Sequence, residues 1–498
     1  MPLVVSMGMN QPRSEAARPV SVLPAGVTPE TDPPGAATVG ELRAVGWQPL
    51  AVKAELRKNL LARLAARRPI VDGVLGYDDT VLPAIEQAII AGHDVILLGE
   101  RGQAKSRIIR SLVGLLDEWT PMIAGSEIND DPYAPVSRQS RDLVAERGDD
   151  APVSWVHRSA RYGEKLATPD TSIADIIGEV DPIKVAEGRY LSDELTIHYG
   201  LVPRSNRGIF AINELPDLAE RIQVGLLDVL EERDVQIRGH KVRLPLDVMF
   251  VASANPEDYT NRGRIITPLK DRFGTRIRTH YPLDVDTELT IVGQEARRLE
   301  DVGVRVEMPG FMAEVVARIS QLARRSPRVS QRSGVSVRLS VANYETLAAA
   351  AVRRAVLHHE AEAVPRVSDL ESLMSSTLGK LEIESLEEGE DEEVVDKLMK
   401  AAVLQAFREN CPTEQLGQVV GGFEDGAIVH AGPDLASSDY VAVLEAVPAL
   451  RQPVLAMAGS ESPGMLASAV ELVLEGLHLT KRLNKDAAGA RATYRSRA

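Results

Sequence analysis

One stretch constrains this chain more than any other. Four apolar residues, Val95-Ile96-Leu97-Leu98, run straight into Gly99-Glu100-Arg101-Gly102-Gln103-Ala104-Lys105-Ser106, and an amphipathic segment from Ile108 to Leu116 follows. A short apolar run bounded by glycine reads as a buried strand, and the segment after it reads as a helix. Strand, glycine loop and helix in this order bring backbone N–H groups and a helix start to one point, which is how a chain cradles phosphate. On this reading Gly99, Glu100, Arg101, Gly102, Gln103 and Ala104 form the cradle of a bound ATP. Lys105 reaches its β and γ phosphates, and the Ser106 hydroxyl coordinates Mg2+. Ala104 stands where the motif has a second glycine. It is expected to keep an ordinary backbone conformation, with Gly102 left to make the tight turn.

Further apolar runs of similar length are Val153-Ser154-Trp155-Val156, Ile209-Phe210-Ala211-Ile212 and Val248-Met249-Phe250-Val251-Ala252. Runs of this kind alternating with amphipathic segments predict an α/β fold with a parallel sheet. The run 209–212 ends in Asn213-Glu214. A strand that delivers an acidic pair beside a phosphate loop supplies one residue to the Mg2+ shell and a second that polarises the attacking water. Here the first is Asn213, whose amide oxygen accepts hydrogen bonds but brings no charge, and Glu214 keeps the role of base. The run 248–252 leads to Asn255, placed to orient the water. Arg272, in Pro268-Leu269-Lys270-Asp271-Arg272-Phe273, is the candidate arginine finger into a neighbouring subunit. Its alternative is an internal ion pair with a carboxylate such as Asp271, and Arg262 and Arg264 are rivals for the finger. Gly334-Val335-Ser336-Val337-Arg338 opens a helix, which makes Arg338 a candidate for coupling that helix to nucleotide state. Gly76 and Tyr77, before the first core helix, are candidates to line the adenine site.

The organisation expected is a disordered tail over 1–40, where seven prolines occur with little periodicity. A helical segment over 41–70 follows, then the α/β core over 71–285. A helical lid spans 286–410 and contains the acidic stretch Glu382 to Glu393, read as a solvated face with a docking surface as the sharper alternative. Residues 411–498 are read as a glycine-rich linker, 416–427, and a mostly helical extension. The net charge of −15 argues against nucleic acid as the main partner. The single cysteine, Cys411, excludes an internal disulfide and is expected to be an inert thiol, which fits a cytoplasmic location. No apolar run reaches the ~18 residues that a membrane span needs, and no signal peptide is expected.

With these residues in hand the chain resembles the MoxR-type AAA+ ATPases and the I subunit of magnesium chelatase. The resemblance is carried by LLGERGQAKS at 97–106, GEVDPIKVAEGRYLSDELTIHYGLVPRSNRGIFAINELPDL at 178–218, LLDVLEER at 226–233, VASANPED at 251–258, LKDRFG at 269–274 and SVRLS at 336–340. It covers roughly 70–400. It implies a P-loop AAA+ core with a helical lid, an insert at about 178–206 and a β-hairpin at about 234–247. It also implies a homo-oligomeric, usually hexameric ring with ATP between subunits, and a partner that bears a von Willebrand factor A domain. That partner's metal motif, D-x-S-x-S, is not met by Asp434-Leu435-Ala436-Ser437-Ser438, so the domain is expected on a separate chain. The resemblance serves a chaperone-like remodelling ATPase and a magnesium chelatase motor equally. Asn213 leaves a third reading, a weakly active ATP-binding scaffold. A transcriptional activator or helicase on a related core is disfavoured: the chain has no G-A-F-T-G-A loop, no recognisable DNA-binding domain and an acidic charge balance.

Overall fold

The structure is a computed structural model that describes residues 20–22, 24, 27–186, 193–232, 244–255, 264–330, 333–384, 389–412, 416–488 and 491–497. The chain forms two compact units. The first holds residues up to Gly99 and Ala104–Thr279, and the second holds Glu100–Gln103 and His280 onward.

The first unit is built on five parallel strands: β1 (Val95–Leu98), β2 (Tyr162–Leu166), β3 (Gly208–Asn213), β4 (Val248–Ala254) and β5 (Thr275–Arg278). Their order across the sheet is β5-β1-β4-β3-β2. The three inner strands are apolar on both faces because helices cover both. Ile96, Phe210, Ile212, Phe250 and Ala252 point into one core, while Val95, Leu97, Ile209, Ala211, Met249 and Val251 point into the other. Each large side chain buried this way contributes about 1.5–3 kcal/mol. The strand 153–157, expected in this sheet, lies instead in a separate three-stranded one. It pairs parallel with Val20–Val22 and antiparallel with Trp119–Ile123.

Two expectations at the N-terminal side are corrected. Residues 27–40 are not a free tail. The Trp155 and Trp119 indole N–H groups donate to the carbonyls of Ala36 and Thr31, each at 2.9 Å, and Thr38 caps the helix Val39–Ala44. A buried indole needs an acceptor, and an extended chain offers its carbonyls. Residues 1–19 lie outside the described residues. The segment 41–70 is helical over Val52–Ala65, but it is part of the core. Glu55 forms a buried ion pair with Arg161, 2.6 Å apart, and Asp247 Oδ2 accepts from the Val52 N–H at 2.6 Å.

In the insert, Gly178–Val180 pairs antiparallel with Ile197–Tyr199. The hairpin expected at 234–247 falls mainly on 233–243, outside the described residues.

The second unit is helical, around Gly310–Arg325, Val337–Leu357, Glu390–Asn410 and Pro463–Leu479. It does not end at 410. The helix Pro463–Leu479 is buried from Gly464 to Leu477, and the Phe407 ring packs directly against Gly476, where an added Cβ would meet ring carbon at 2.1 Å. The glycine-rich stretch expected as a linker is a helix, Leu416–Glu424, with Leu416, Val419 and Phe423 buried on one side. Its spacing is helical, and Gly422 permits close approach to Val447, with 3.2 Å left for a Cβ. The polar C-terminal residues form strands Leu483–Ala488 and Arg491–Ser496, which pair with each other and with Val429–Ala431. The acidic run places Glu390, Asp391, Glu392 and Glu393 in the first turn of their helix, where negative charge offsets the helix dipole. Among the described residues no single helix is long and apolar enough to cross a membrane. One bent pair, Asp439–Ala446 with Pro448–Ala458, passes on length and composition alone at a bend of 108°.

Candidate functional site

The site gathers at the carboxyl ends of β1, β4 and β3, the neighbours at the middle of the sheet. This is where side chains from adjacent strands converge in an open parallel sheet. The Gly99 N–H donates to the Ala254 carbonyl at 3.1 Å, so the chain leaves β1 directly beside Asn255. The helix Lys105–Ser111 starts after Ala104. Ala104 has φ 56° and ψ 13°, in the left-handed region. The expectation of an ordinary conformation there is therefore corrected: the loop geometry imposes a turn that a glycine would make without strain, and alanine carries a cost of about 1–2 kcal/mol.

Lys105 is buried, and its Nζ donates to the Gly99 carbonyl and, at 2.7 Å, to Asn255 Oδ1. Asn255 Nδ2 in turn donates to Glu214 Oε2 at 2.5 Å. Lysine, amide and carboxylate thus form one chain of charge-assisted hydrogen bonds. Glu214 has φ 56° and ψ 46°, a non-glycine residue held in the left-handed region at a cost of order 1–3 kcal/mol. Its N–H donates to Ser253 Oγ at 3.2 Å, and the same hydroxyl donates to Asn213 Oδ1 at 3.2 Å. Asn213 Oδ1 also faces the Ser106 hydroxyl at 3.5 Å, the outer edge of hydrogen bonding.

Two residues here were not singled out from the sequence. Ser253 fixes both members of the Asn213-Glu214 pair. Glu164, on β2, accepts from Asn213 Nδ2 at 2.5 Å and takes two bonds of 2.9 Å from the Arg110 guanidinium. Burial acts to raise the Glu164 carboxyl, but the bond and charge of Arg110 outweigh it and hold the group below the usual carboxylate range. The bond to Glu164 likewise raises Arg110.

The remaining candidates sit as follows. Gly76 has φ 78°, and Tyr77 is buried within the apolar cluster that includes Val74, Val81 and Ile85. Arg272 is exposed at the end of the helix Thr267–Arg272. Arg264 is exposed, with its carbonyl accepting from Gln223, and Arg262 lies outside the described residues. In the second unit, Glu100 accepts from Gln103 Nε2 at 3.3 Å and the Arg101 carbonyl accepts from Tyr281 Oη at 2.9 Å. Gly102, φ 75°, lies so close to Ser336 that a Cβ would meet its Oγ at 1.9 Å. Ser336 caps the helix Val337–Leu357, and Arg338 is exposed in its first turn. Of the near-match to the metal motif, Asp434 pairs with Arg491, and Ser437 bonds Glu360 and Arg366.

The Sigma-54 interaction domain family matches residues 187–272. The magnesium-chelatase 38 kDa subunit of Cereibacter sphaeroides is 30% identical over 224 residues, 43% of this chain and 58% of that protein. Magnesium-chelatase subunit ChlI-1, chloroplastic, of Arabidopsis thaliana is 30% identical over 232 residues, 45% of this chain and 51% of that protein. The chain therefore spans about half the length of the curated relatives it matches. A cryo-EM-based structure of the BchI and BchD subunits of magnesium chelatase matches with a TM-score of 0.31 at 20% identity, over 70% of this chain and 100% of that one. The strand before the Gly99–Ser106 loop, the strand that ends in Asn213-Glu214 and the strand between them stand side by side here, on a sequence similar in part to the chelatase I subunits. Over part of its length the chain is thus similar to the Sigma-54 interaction domain family and to the I subunits of magnesium chelatase.

Proposed function

We propose that this chain is an ATPase that binds ATP with Mg2+ at the Gly99–Ser106 loop and uses hydrolysis to remodel or activate a protein partner, in the manner of a chaperone. The observation that carries this reading is the chain of contacts Lys105–Asn255–Glu214. It sets a buried cation, a polar relay and a carboxylate in line at the end of a strand–loop–helix unit. The donor set suits a nucleotide-borne Mg2+: Ser106 Oγ and Asn213 Oδ1 are hard oxygen ligands on one spot, and Mg2+ ordinarily takes few protein ligands beside its phosphates. When bound, the ion would offset negative charge on the phosphates. Lys105 then trades its carbonyl and amide acceptors for phosphate oxygens. Glu214 takes the proton of the attacking water, and Asn255 holds both water and carboxylate in place.

The reading extends to a homo-oligomeric, hexameric ring in the cytoplasm, with Arg272 acting in trans, Arg338 sensing nucleotide, Gly76 and Tyr77 near the base, and a von Willebrand factor A protein as partner. The test is calorimetry with ATP on the parent, Lys105→Ala and Glu214→Gln forms. Lys105→Ala should lose at least about tenfold in affinity, as removal of a charge-assisted contact of roughly 1.5–3 kcal/mol requires. Glu214→Gln should bind normally and turn over at least tenfold more slowly, the low end of general-base effects of about 10²–10⁴. Equal affinity in parent and Lys105→Ala would sink the assignment.

The names of the curated relatives favour a second reading, the ATPase of a magnesium chelatase that inserts Mg2+ into protoporphyrin. Purifying the Glu214→Gln form with its bound partners separates the two. A very large porphyrin-binding subunit would mark a chelatase, and a von Willebrand factor A protein alone would mark a remodelling enzyme.

A further inference from the structure

At the position where a carboxylate would join the Mg2+ shell this chain has Asn213, yet a carboxylate lies in direct contact with it. The strand β2 pairs with β3 so that Leu166 stands opposite Asn213. Glu164, two residues earlier, is on the same face, and its Oε1 accepts from Asn213 Nδ2 at 2.5 Å. An ionised carboxylate only accepts hydrogen bonds. The amide nitrogen of Asn213 must therefore face Glu164, and its Oδ1 must face the Ser106 and Ser253 hydroxyls. The side chain has no second orientation.

Arg110 closes the arrangement. It lies four residues after Ser106 on the helix Lys105–Ser111, hence on the same face. Its guanidinium grips both oxygens of Glu164 at 2.9 Å. Ser106, Asn213, Glu164 and Arg110 form a chain of contacts that returns to the helix from which it starts, with Glu164 largely shielded at 21% side-chain exposure and Arg110 at 64%. The cation of the pair is thus turned to solvent, where it is screened, and the anion is turned inward. A carboxylate hydrogen-bonded to an amide N–H polarises the far carbonyl oxygen toward negative charge.

We propose that Glu164 is the anionic positioning residue of the Mg2+ site: it acts through Asn213, and the pair divides between two side chains the charge and the oxygen that one aspartate would supply. The proposal rests on the nucleotide site proposed above.

The test is a binding titration with a fluorescent N-methylanthraniloyl ADP, in EDTA and at rising Mg2+, on the full chain. In EDTA, Glu164→Gln should bind the probe within about twofold of the parent. Its Mg2+ half-point should rise about tenfold, the lower end of the 10–100-fold typical when a partner of a metal ligand is removed. Asn213→Asp alone would press two carboxylates together and should not lower the Mg2+ half-point. The double form Glu164→Gln with Asn213→Asp returns one carboxylate to the site and should recover the parent's half-point, which also shows that the fold survives. An unchanged half-point in Glu164→Gln would overturn the proposal, as would equal gain from Asn213→Asp with Glu164 intact. Loss of EDTA binding in Glu164→Gln would make its role general support of the fold and overturn it too. Failure of the parent to bind the probe under any condition would instead remove the nucleotide reading itself.

Discussion

The amide of Asn255 donates to the carboxylate of Glu214 at 2.5 Å while its oxygen accepts from Lys105. The amide therefore cannot rotate without breaking a bond on one side or the other. A residue held from both ends orients its neighbours at little entropic cost when substrate arrives. Asn255→Ala should lower steady-state ATP turnover at least about tenfold while nucleotide affinity changes only a few-fold, because what is lost is orientation in the reacting complex. Unaltered turnover, measured with affinity in the same preparation, would show that Glu214 needs no such support.

Arg272 is exposed at the end of the helix Thr267–Arg272, which follows β4 in the chain. If it completes the site of a neighbour, it stabilises charge that builds during transfer and affects rate more than binding. Arg272→Ala and Lys105→Ala proteins should each be inactive alone. Mixed after subunit exchange, verified by fluorescence transfer, they should regain ATPase activity at interfaces where both residues are intact. Full activity of Arg272→Ala by itself would return the residue to the role of an internal ion pair.

Ala104 occupies left-handed backbone. Glycine there removes about 1–2 kcal/mol of strain and adds roughly 0.4–1 kcal/mol of freedom to the unfolded chain. Ala104→Gly should therefore stabilise by up to about 1.6 kcal/mol in urea unfolding. A loss of stability would mean that the alanine methyl packs more strongly than the strain it causes.

Cys411 closes the helix Glu390–Asn410 and is buried, which pushes its thiol up to about 11 from an ordinary value near 9.0. At pH 8 the folded protein should react with a disulfide reagent far more slowly than the urea-unfolded chain, since only the thiolate reacts. The folded state also keeps its proton longer, so stability should fall as pH rises from 9 toward 11, and Cys411→Ser should flatten that fall. Rapid labelling of the folded chain would show the helix end to be open.

The inner strands of the sheet were legible because both their faces are buried, so they appear as unbroken apolar runs. The edge strands Tyr162–Leu166 and Thr275–Arg278 have exposed faces and mixed composition, and run length could not find them. Missing β2 also hid Glu164, since no spacing along the chain links residue 164 to residue 213; only strand pairing does. The apolar run at 153 was a true strand in the wrong sheet, because burial does not say which partner a strand takes. Lys105, Asn213, Glu214 and Asn255 could be expected to come together because each lies at or after the end of an inner strand, and neighbouring strand ends meet in space; their chemical roles remain a proposal. The Gly421-Gly422 pair reads as punctuation in the sequence, but in the fold both residues lie within a helix, and Gly422 packs closely on Val447.

Phe407 resting on Gly476 has a consequence for how this protein can change over generations. The residues beyond 410 fill the inner side of helices that precede them, with Ala402, Val403, Ala406 and Phe407 sharing one core with Leu472, Val473 and Leu477. A gene shortened at 410 would leave that apolar seam facing water and yield an aggregating product. Loss of this C-terminal region would therefore uncover the helices it packs on, and added length is accommodated most easily at the exposed turns between elements.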